Sequence, residues 1–408
     1  MKCRFCKSEV KYVFADLNNS PASNSFLNIQ DLNYPETYFP LKVMVCEKCF
    51  LVQIDEYKKS TDIFNNDYVY FSSFSSSWLN HCSHYTDLMA DRFKFNNKSL
   101  VVEIASNDGY LLQYFKQKNI PVLGIEPTAN TASVAISKGI PTVIDFFGER
   151  LAKKLVAEGA KADLLLGNNV LAHVPDIMDF VKGMSILLAE KGVITMEFPH
   201  LFQLILNNQF DTIYHEHFSY LSFTTVVKIF KTCNLEIFDV DELPTHGGSL
   251  RIYAKHKSDT SKQISKNVDS LLTLEKDAGM LEIKFYSNFQ EKMKKIKLDF
   301  LDFLINQKKI GKVVAGYGAA AKGNTLLNYC GIKSDLISFI VDANPAKQNK
   351  FLPGSHIPVV SEKMIIENKP DFIVIFPWNI KDEVLNNLKY VKNWGANFIV
   401  AIPYLQVL

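Results

Sequence analysis

The chain has 408 residues, 47% of them hydrophobic, and 45 Lys and Arg against 43 Asp and Glu, a formal net charge of +2. That length exceeds what one core usually holds, so two or three globular domains are expected. Charge this balanced gives no basic face for nucleic acid, and no window approaches the roughly 18 uncharged apolar residues of a membrane span, so neither partner is expected. The N-terminal M-K-C-R-F-C lacks the apolar stretch of a signal peptide, which points to the cytoplasm.

Cys3 and Cys6 form one C-x-x-C and Cys46 and Cys49 a second. Four thiolates close a tetrahedral zinc shell with no open position, which suits a structural ion and not a catalytic one. A reduced, metal-free pair of knuckles is the alternative, since the gap between the pairs exceeds that of most zinc ribbons. Cys82, Cys233 and Cys330 are scattered and read as small buried hydrophobes. Between the knuckles, N-S-P-A-S-N-S (19–25) is a polar loop. After them Y-V-Y-F-S-S-F-S-S-S-W (68–78) mixes aromatics with hydroxyls. It suits either stacking on a base or sugar, or a helix lead-in packed on the core.

From Ser99 the pattern becomes repeated strand-then-helix units, the mark of a parallel sheet with crossover helices. L-V-V-E-I (100–104) is a buried strand followed by the turn A-S-N-D-G (105–109), and V-L-G-I (122–125) is the next strand, ending in Glu126. An acid at that tip can accept both hydroxyls of a ribose. Asp145 and Phe146 follow the short strand T-V-I (142–144) and offer a carboxylate edge and an aromatic face to adenine. The fourth strand runs into Asn168 and the loop N-N-V-L-A-H-V-P-D, which holds His173. All these tips share one carboxyl edge, where open α/β sheets bind ligands.

The first turn keeps Glu103 and Gly109 of an E-x-G-x-G-x-G pattern but has Ala105 and Asn107 where the first two glycines would fall. A diphosphate lying tight against backbone wants those glycines, whereas a ligand without phosphate does not. The turn therefore favours S-adenosylmethionine over a nicotinamide dinucleotide.

Y-H-E-H-F-S-Y (214–220) places six groups able to share a proton in seven residues after the apolar run V-I-T-M-E-F. His217 can act as a general base, Glu216 can set its tautomer or take the proton, and Tyr214 can donate to a developing oxyanion. A surface loop or a metal site would use the same residue types. In H-G-G-S-L-R (246–251) the paired glycines allow close backbone approach and Arg251 can meet a phosphate or sugar oxygen, or else mark a hairpin with a surface Arg. Residues 258–308 are polar and heptad-like and read as a long amphipathic helix and linker. A second strand-turn-helix set opens at G-Y-G-A-A-A-K-G-N (316–324), a small-residue loop suited to anions, with Lys322 and Asn324 in it.

In this order the two knuckles, E-I-A-S-N-D-G, N-N-V-L-A-H-V-P-D, E-F-P-H, Y-H-E-H-F-S-Y, H-G-G-S-L-R and G-Y-G-A-A-A-K-G-N span nearly the whole chain and resemble the nucleotide-sugar C-methyltransferases. The resemblance implies an α/β fold: a class I methyltransferase Rossmann-like core (99–257), an N-terminal zinc-binding, substrate-covering lobe (1–98), a helical connector (258–308) and a Rossmann-like C-terminal domain (309–408). It implies S-adenosylmethionine and structural zinc as cofactors and a nucleoside-diphosphate 4-keto-deoxysugar as substrate, methylated at the carbon beside the ketone. By the same resemblance His217 is the base, with Glu216, Tyr214, His173 and Tyr68 about it. Glu103, Ala105, Asn107, Gly109, Glu126, Asp145, Phe146 and Asn168 would hold the cofactor. Arg251, Lys322 and Asn324 would meet the substrate. His173, Tyr214 and Tyr68 are all candidates for the enolate donor. An O- or N-methyltransferase, which needs no base for C–H abstraction, and a non-catalytic zinc scaffold are the competing readings. Monomer and homodimer both stay open.

Overall fold

The computed structural model of the chain describes residues 1–64 and 71–408, so Tyr68 lies outside the described residues. Three sheets organise the described residues. The first runs β1 (Tyr12–Ser20), β2 (Phe39–Val45), β3 (Val52–Ile54) and, from far along the chain, β9 (Ser219–Tyr220), all antiparallel. In β2 Leu41, Val43 and Val45 are buried while their neighbours are not, the period of two that a one-sided sheet imposes. Because β9 directly follows Y-H-E-H, the motif is clamped where the N-terminal lobe meets the core.

The central sheet contains β4 (Val101–Ile104), β5 (Val122–Ile125), β6 (Thr142–Val143), β7 (Ala162–Asn168), β8 (Leu188–Pro199), β10 (Leu235–Leu243) and β11 (Ser249–His256), in the order β10-β11-β8-β7-β4-β5-β6. Counted within the sheet this is 3-2-1-4-5-7-6, with the seventh strand antiparallel to both neighbours. It is the class I methyltransferase sheet. Every residue of β4 is buried, as expected of a parallel strand covered by helices on both faces. Its carboxyl end opens at the reversal of strand order, between β5 and β7, the place where such sheets bind ligands.

The third sheet is built from β12 (Val314–Tyr317), β13 (Ile340–Val341), β14 (Lys350–Phe351), β15 (Pro358–Val360), β16 (Phe372–Ile375), β17 (Asn397–Val400) and β18 (Gln406–Val407), in the order β14-β15-β13-β12-β16-β17-β18. Its five central strands are parallel and its two edge strands antiparallel.

The segment read as a long helix and linker is three helices: Lys266–Asp277, Ile283–Ser287 and Phe289–Lys309. Phe289, Met293, Ile296, Phe300 and Leu304 recur every three or four residues along the last helix and are buried, one apolar stripe. That stripe shares a single core with Phe14 and Val43 of the first sheet, Phe210 and Phe218 beside the Y-H-E-H motif, and Val374 and Ile399 of the third sheet. Removing a ring there, as in Phe300→Ala, costs about 3–5 kcal/mol. The first of the three helices is equally tied in: buried Glu275 accepts from the Phe223 and Thr224 N–H groups at 2.6 and 2.7 Å and pairs with His200 at 2.7 Å. The carboxylate thus satisfies the open end of helix Phe223–Thr232. Among the described residues no helix is long and apolar enough to cross a membrane.

Candidate active site

One cavity of about 530 Å³ is lined by strand ends and loops of the central sheet, by Asn24 from the N-terminal segment and by Lys322 and Lys347 from the C-terminal segment. Ala105, Asn107, Glu126, Asp145, Phe146 and Asn168 line it, as do His173, Tyr214, Glu216, His217 and Lys322. Eleven of the sequence candidates therefore share one space. Four do not line it: Glu103, Gly109, Arg251 and Asn324.

The turn after β4 explains how Ala105 and Asn107 replace glycine. Ala105 has φ 58° and Asn107 φ 49°, so both hold the left-handed conformation a glycine would supply, at a steric cost that Asn bears better than Ala. The Asn107 N–H donates to Glu126 Oε2 at 2.9 Å, and its side-chain Oδ1 accepts from the Ser72 N–H at 2.9 Å. Gly109 has φ 76°, and a Cβ there would lie 2.4 Å from the Ile140 side chain, so its role is packing below the turn. Glu103 is wholly buried in β4, and burial raises its pKa.

Glu126 faces the cavity but is already engaged. Its carboxylate accepts from the Asn107 N–H and from the Thr128 N–H and hydroxyl. Three of about four lone pairs are used, so it can take one ribose hydroxyl rather than the two expected. Asp145 is likewise held, by Arg150 Nη2 at 2.8 and 2.7 Å, while the neighbouring Phe146 ring is half-exposed. Glu126, Phe146 and Asn168, at the ends of three neighbouring strand units, line this part of the cavity together.

Arg251 corrects the substrate expectation. It lies on β11, 4% exposed, paired with the wholly buried Glu197 at 2.9 Å and stacked over Tyr85 at 4.7 Å. From this strand-interior position, outside the cavity lining, it satisfies a core carboxylate instead of a ligand. Asn324 is 0% exposed within helix Ala321–Cys330, away from the cavity wall, because successive helical residues leave on different faces. Lys322 alone of the two reaches the wall, its ammonium 2.7 Å from Asn379 Oδ1 and 4.4 Å above the Trp378 ring. Burial lowers its pKa and Asp211 partly restores it.

The His217 ring is held at one nitrogen. Its Nδ1 lies 3.1 Å from the Thr212 carbonyl oxygen. A carbonyl only accepts, so Nδ1 carries the proton and Nε2 keeps the lone pair. The rings of Tyr214 and His173 lie 4.1 and 4.6 Å from the His217 ring. Burial first, then His173, lowers the His217 pKa well below the ordinary histidine value, and burial brings His173 down to about 4. Both are neutral at pH 7. Glu216 accepts from Asn24 Nδ2 at 2.7 Å, and burial raises its pKa. His215 turns away, with Nε2 3.2 Å from the Pro40 carbonyl and its ring against Phe39, and among the described residues H-E-H forms no cluster of metal ligands.

The metal site lies elsewhere. Among the described residues the one group able to hold an ion is Cys3, Cys6, Cys46 and Cys49, with ligand atoms within 4.8 Å of one another. Cys3 Sγ lies 3.5 Å from Cys49 Sγ and Cys6 Sγ 3.5 Å from Cys46 Sγ, close to the edge of about 3.8 Å that 2.3 Å zinc–sulfur bonds give a tetrahedron. The hydrogen bond between them pulls the Cys3 thiol down to about 4 and pushes the Cys49 thiol up. Only a cation at the centre lets all four ionise together.

Sequence reasoning did not name Asn24, Asn169, His246 and Lys347 as site residues, and read Trp78 only within a segment suited either to stacking on a base or sugar or to a helix lead-in, yet all five line the cavity. Asn24 stands in a loop whose sequence signals only polarity. His246 stands in a motif whose glycines and arginine carry the stronger local signal.

Three family models match the chain. One described as "Putative zinc binding domain" covers residues 3–64, one described as "Methyltransferase domain" covers 79–240, and one described as "C-methyltransferase C-terminal domain" covers 244–403. C-methyltransferase NovU of Streptomyces niveus is 33% identical over 407 residues, 100% of this chain and 96% of that one. A solved S-adenosylmethionine-dependent methyltransferase from Anabaena variabilis is 15% identical, with TM-score 0.36 over 43% of this chain and 84% of its own. The magnesium protoporphyrin IX methyltransferase from Synechocystis is 16% identical, with TM-score 0.33 over 43% and 78%. With all three of its parts matched and a relative aligned from end to end, the chain belongs to the C-methyltransferase family.

Proposed function

We propose that this protein methylates a carbon beside the ketone of a nucleoside-diphosphate 4-keto-deoxysugar, as a step in making a branched-chain sugar. Bound S-adenosylmethionine would supply an electrophilic methyl group. The observation that carries the reading is the fixed tautomer of His217: its Nδ1–H donates to the Thr212 carbonyl, nitrogen to oxygen 3.1 Å, so Nε2 keeps the lone pair in a residue that lines the cavity with His173, Tyr214 and Glu216. A transferase to oxygen or nitrogen has no need of a base held ready for a C–H bond.

On this reading Ala105, Asn107, Glu126, Phe146 and Asn168 hold the cofactor, and His217 Nε2 removes the α-proton. Tyr214, whose ring stands 4.1 Å from that of His217, would flank the reacting carbon beside the base. Lys322 and Lys347, on the wall contributed by the C-terminal domain, suit the diphosphate end. Zinc at the four cysteines is structural. The working parts are a zinc-binding lobe to residue 98, a methyltransferase core to 257, a helical connector to 308 and the C-terminal domain thereafter.

The test is incubation with S-adenosylmethionine and a 4-keto-6-deoxy sugar nucleotide in deuterium oxide, followed by proton NMR. Loss of the α-proton signal together with a new methyl signal on carbon is the expected result. Absence of both with a panel of such sugars, while a hydroxyl or amine acceptor is methylated, would transfer the assignment to an O- or N-methyltransferase.

A further inference from the structure

We propose that His246 is a catalytic residue of this reaction, its Nδ1–H donating to the oxygen of the enolate that His217 generates. The assignment rests on the C-methylation reading above.

His246 reaches the cavity wall on the turn between β10 and β11. The turn is costly to form. His246 itself has φ 53°, and Gly247 and Gly248 follow with φ 88° and 117°, so three successive residues sit in the left-handed half of conformational space, one of them with a Cβ. Gly247 has no alternative, since a Cβ there would lie 2.4 Å from the Trp378 ring.

Separate side chains hold this turn in place. The Thr245 hydroxyl donates to Glu197 Oε1 at 2.9 Å, the Ser249 hydroxyl to the Thr245 carbonyl at 2.9 Å, and Gln209 Nε2 to the Gly247 carbonyl at 2.7 Å. Glu197 is in turn fixed by Arg251 at 2.9 Å. Arg251, which meets no ligand, thus anchors the residue before His246 through Glu197 and Thr245. Backbone strain over-determined in this way, facing a ligand cavity, is the pattern of a side chain aimed at substrate.

Asn169 then sets the imidazole. Its amide Nδ2 lies 3.0 Å from His246 Nε2. An amide NH₂ only donates, so Nε2 carries the lone pair and the proton of the neutral ring sits on Nδ1. Burial brings the His246 pKa down to about 4, with Lys322 acting in the same direction, Glu197 opposing and His81 adding to the lowering. The ring is therefore neutral at working pH, a donor through Nδ1 only. Trp78 packs edge-on at 5.5 Å and fixes its plane. His217 and His246 thus carry opposite duties, each held in its tautomer by a neighbour: Thr212 makes one a base, and Asn169 makes the other a donor.

The step balances without further reagents. The α C–H bond breaks and its proton passes to His217 Nε2. The C–H electron pair becomes the carbon–carbon π bond, and the carbonyl π pair moves onto oxygen. That oxygen accepts from His246 Nδ1–H. A neutral imidazole suits this role because it stabilises the oxyanion without adding a cation that would further disfavour protonated His217.

The experiment compares wild type, His246→Ala, His246→Gln and Asn169→Asp for α-proton exchange and methyl transfer with a 4-keto-6-deoxy sugar nucleotide. S-adenosylmethionine affinity and melting temperature report on folding. His246→Ala should lose on the order of 100-fold or more in both rates with cofactor affinity within about threefold, and His246→Gln, which keeps an N–H, should regain part of the loss. Asn169→Asp reverses the tautomer, because a carboxylate only accepts. It should lower turnover at pH 8 and recover toward pH 6, where protonation returns the Nδ1–H; a merely structural role would leave the pH profile unmoved. Exchange by His246→Ala within about threefold of wild type, or Asn169→Asp keeping the wild-type pH profile, overturns this assignment and leaves C-methylation standing. Absence of exchange and methylation in the wild type overturns both.

Discussion

Asn24 Nδ2 donates to Glu216 Oε1 at 2.7 Å across 192 residues of chain, so the N-terminal lobe supplies the partner of a cavity carboxylate. The loop bearing Asn24 is itself pinned: Ser20, Ala22 and Ser23 are buried, and Glu36 of the same lobe accepts from the Gly354 N–H and His356 Nε2, in the loop between β14 and β15, at 2.9 and 3.0 Å. Asn24→Ala leaves a nearly buried carboxylate without its donor, a loss of about 1–3 kcal/mol. The expected outcome is a raised Glu216 pKa and a kcat reduced more than KM. Asn24→Asp, which faces one carboxylate with another, should be worse than Ala at pH 8 and improve as pH falls. Equal pH profiles for the two variants would show that Glu216 takes no part.

His217→Asn removes the lone pair at Nε2 while keeping a donor near Thr212. General-base loss is worth about 10²–10⁴-fold, so exchange of the α-proton and methyl transfer should both disappear. Affinity for S-adenosylmethionine should stay within a few-fold, since the walls of Glu126 and Phe146 are untouched. Retained exchange would remove His217 from the mechanism.

How much of the fold and site is legible in the sequence depends on whether a property is local. The strand β4, the Glu126 tip and the paired knuckles can be read because buried parallel strands, sheet edges and zinc ligands have short-range patterns. Arg251 cannot. Its charge and neighbouring glycines suggest a ligand, but the partner that claims it, Glu197, lies 54 residues away on the adjacent strand. Asn24 and Glu216 are 192 residues apart and neither carries a signal of the other. Ala105 and Asn107 read as departures from a glycine pattern, yet both take glycine's backbone conformation. Residue type does not fix φ when tertiary bonds outweigh the local preference.

Because Arg251 serves the core, its loss should be felt in stability. Arg251→Ala removes the cation from the Glu197 carboxylate, leaving it the Thr245 hydroxyl and His81. That carboxylate is 0% exposed and its pKa, despite burial, is held down by His81 and Arg251. Breaking such a pair costs about 3–5 kcal/mol. A lowered melting temperature is expected, with KM for the sugar nucleotide little changed in whatever fraction folds. A large rise in KM with unchanged stability would return Arg251 to the substrate.

His173 sets a pH dependence of stability. Its pKa falls from 6.5 in the unfolded chain to about 4 in the folded one through burial. Between these values the unfolded state binds more protons, so stability rises with pH there. The contribution is fully present above pH 6.5 and is lost as pH falls toward 4, on the order of 2–3 kcal/mol. The buried carboxylates Glu103, Glu126 and Glu216, with raised pKa values, work in the opposite sense, so the comparison must be with a variant. Urea melts of wild type and His173→Gln at about pH 7.5 and 4.5 should show the wild type losing more by about that amount. Parallel pH dependence in the two proteins would mean that His173 is protonated as readily folded as unfolded.

Removal of the metal should reach the chemistry as well as the lobe. Arg4, inside the first knuckle, donates to the Pro175 carbonyl in the loop that carries His173 and to the Ile54 carbonyl, each at 2.5 Å, and its guanidinium lies 5.5 Å from the Phe218 ring, next in sequence to His217. The second knuckle is seated on the core through the Thr225 hydroxyl, which donates to the Cys49 carbonyl at 3.1 Å. With four sulfurs drawn together around no ion, the cluster is left with thiols that cannot all ionise, and the knuckles lose the several kcal/mol that zinc adds to folding. Arg4 then has nothing to hold it, and both histidine loops lose a contact. Chelation or Cys46→Ser should therefore release one equivalent of zinc by mass spectrometry, lower the melting temperature and depress kcat, while S-adenosylmethionine still binds to a core whose own sheet is intact. A metal-free protein with an unchanged melting curve and full turnover would assign the four cysteines no structural ion.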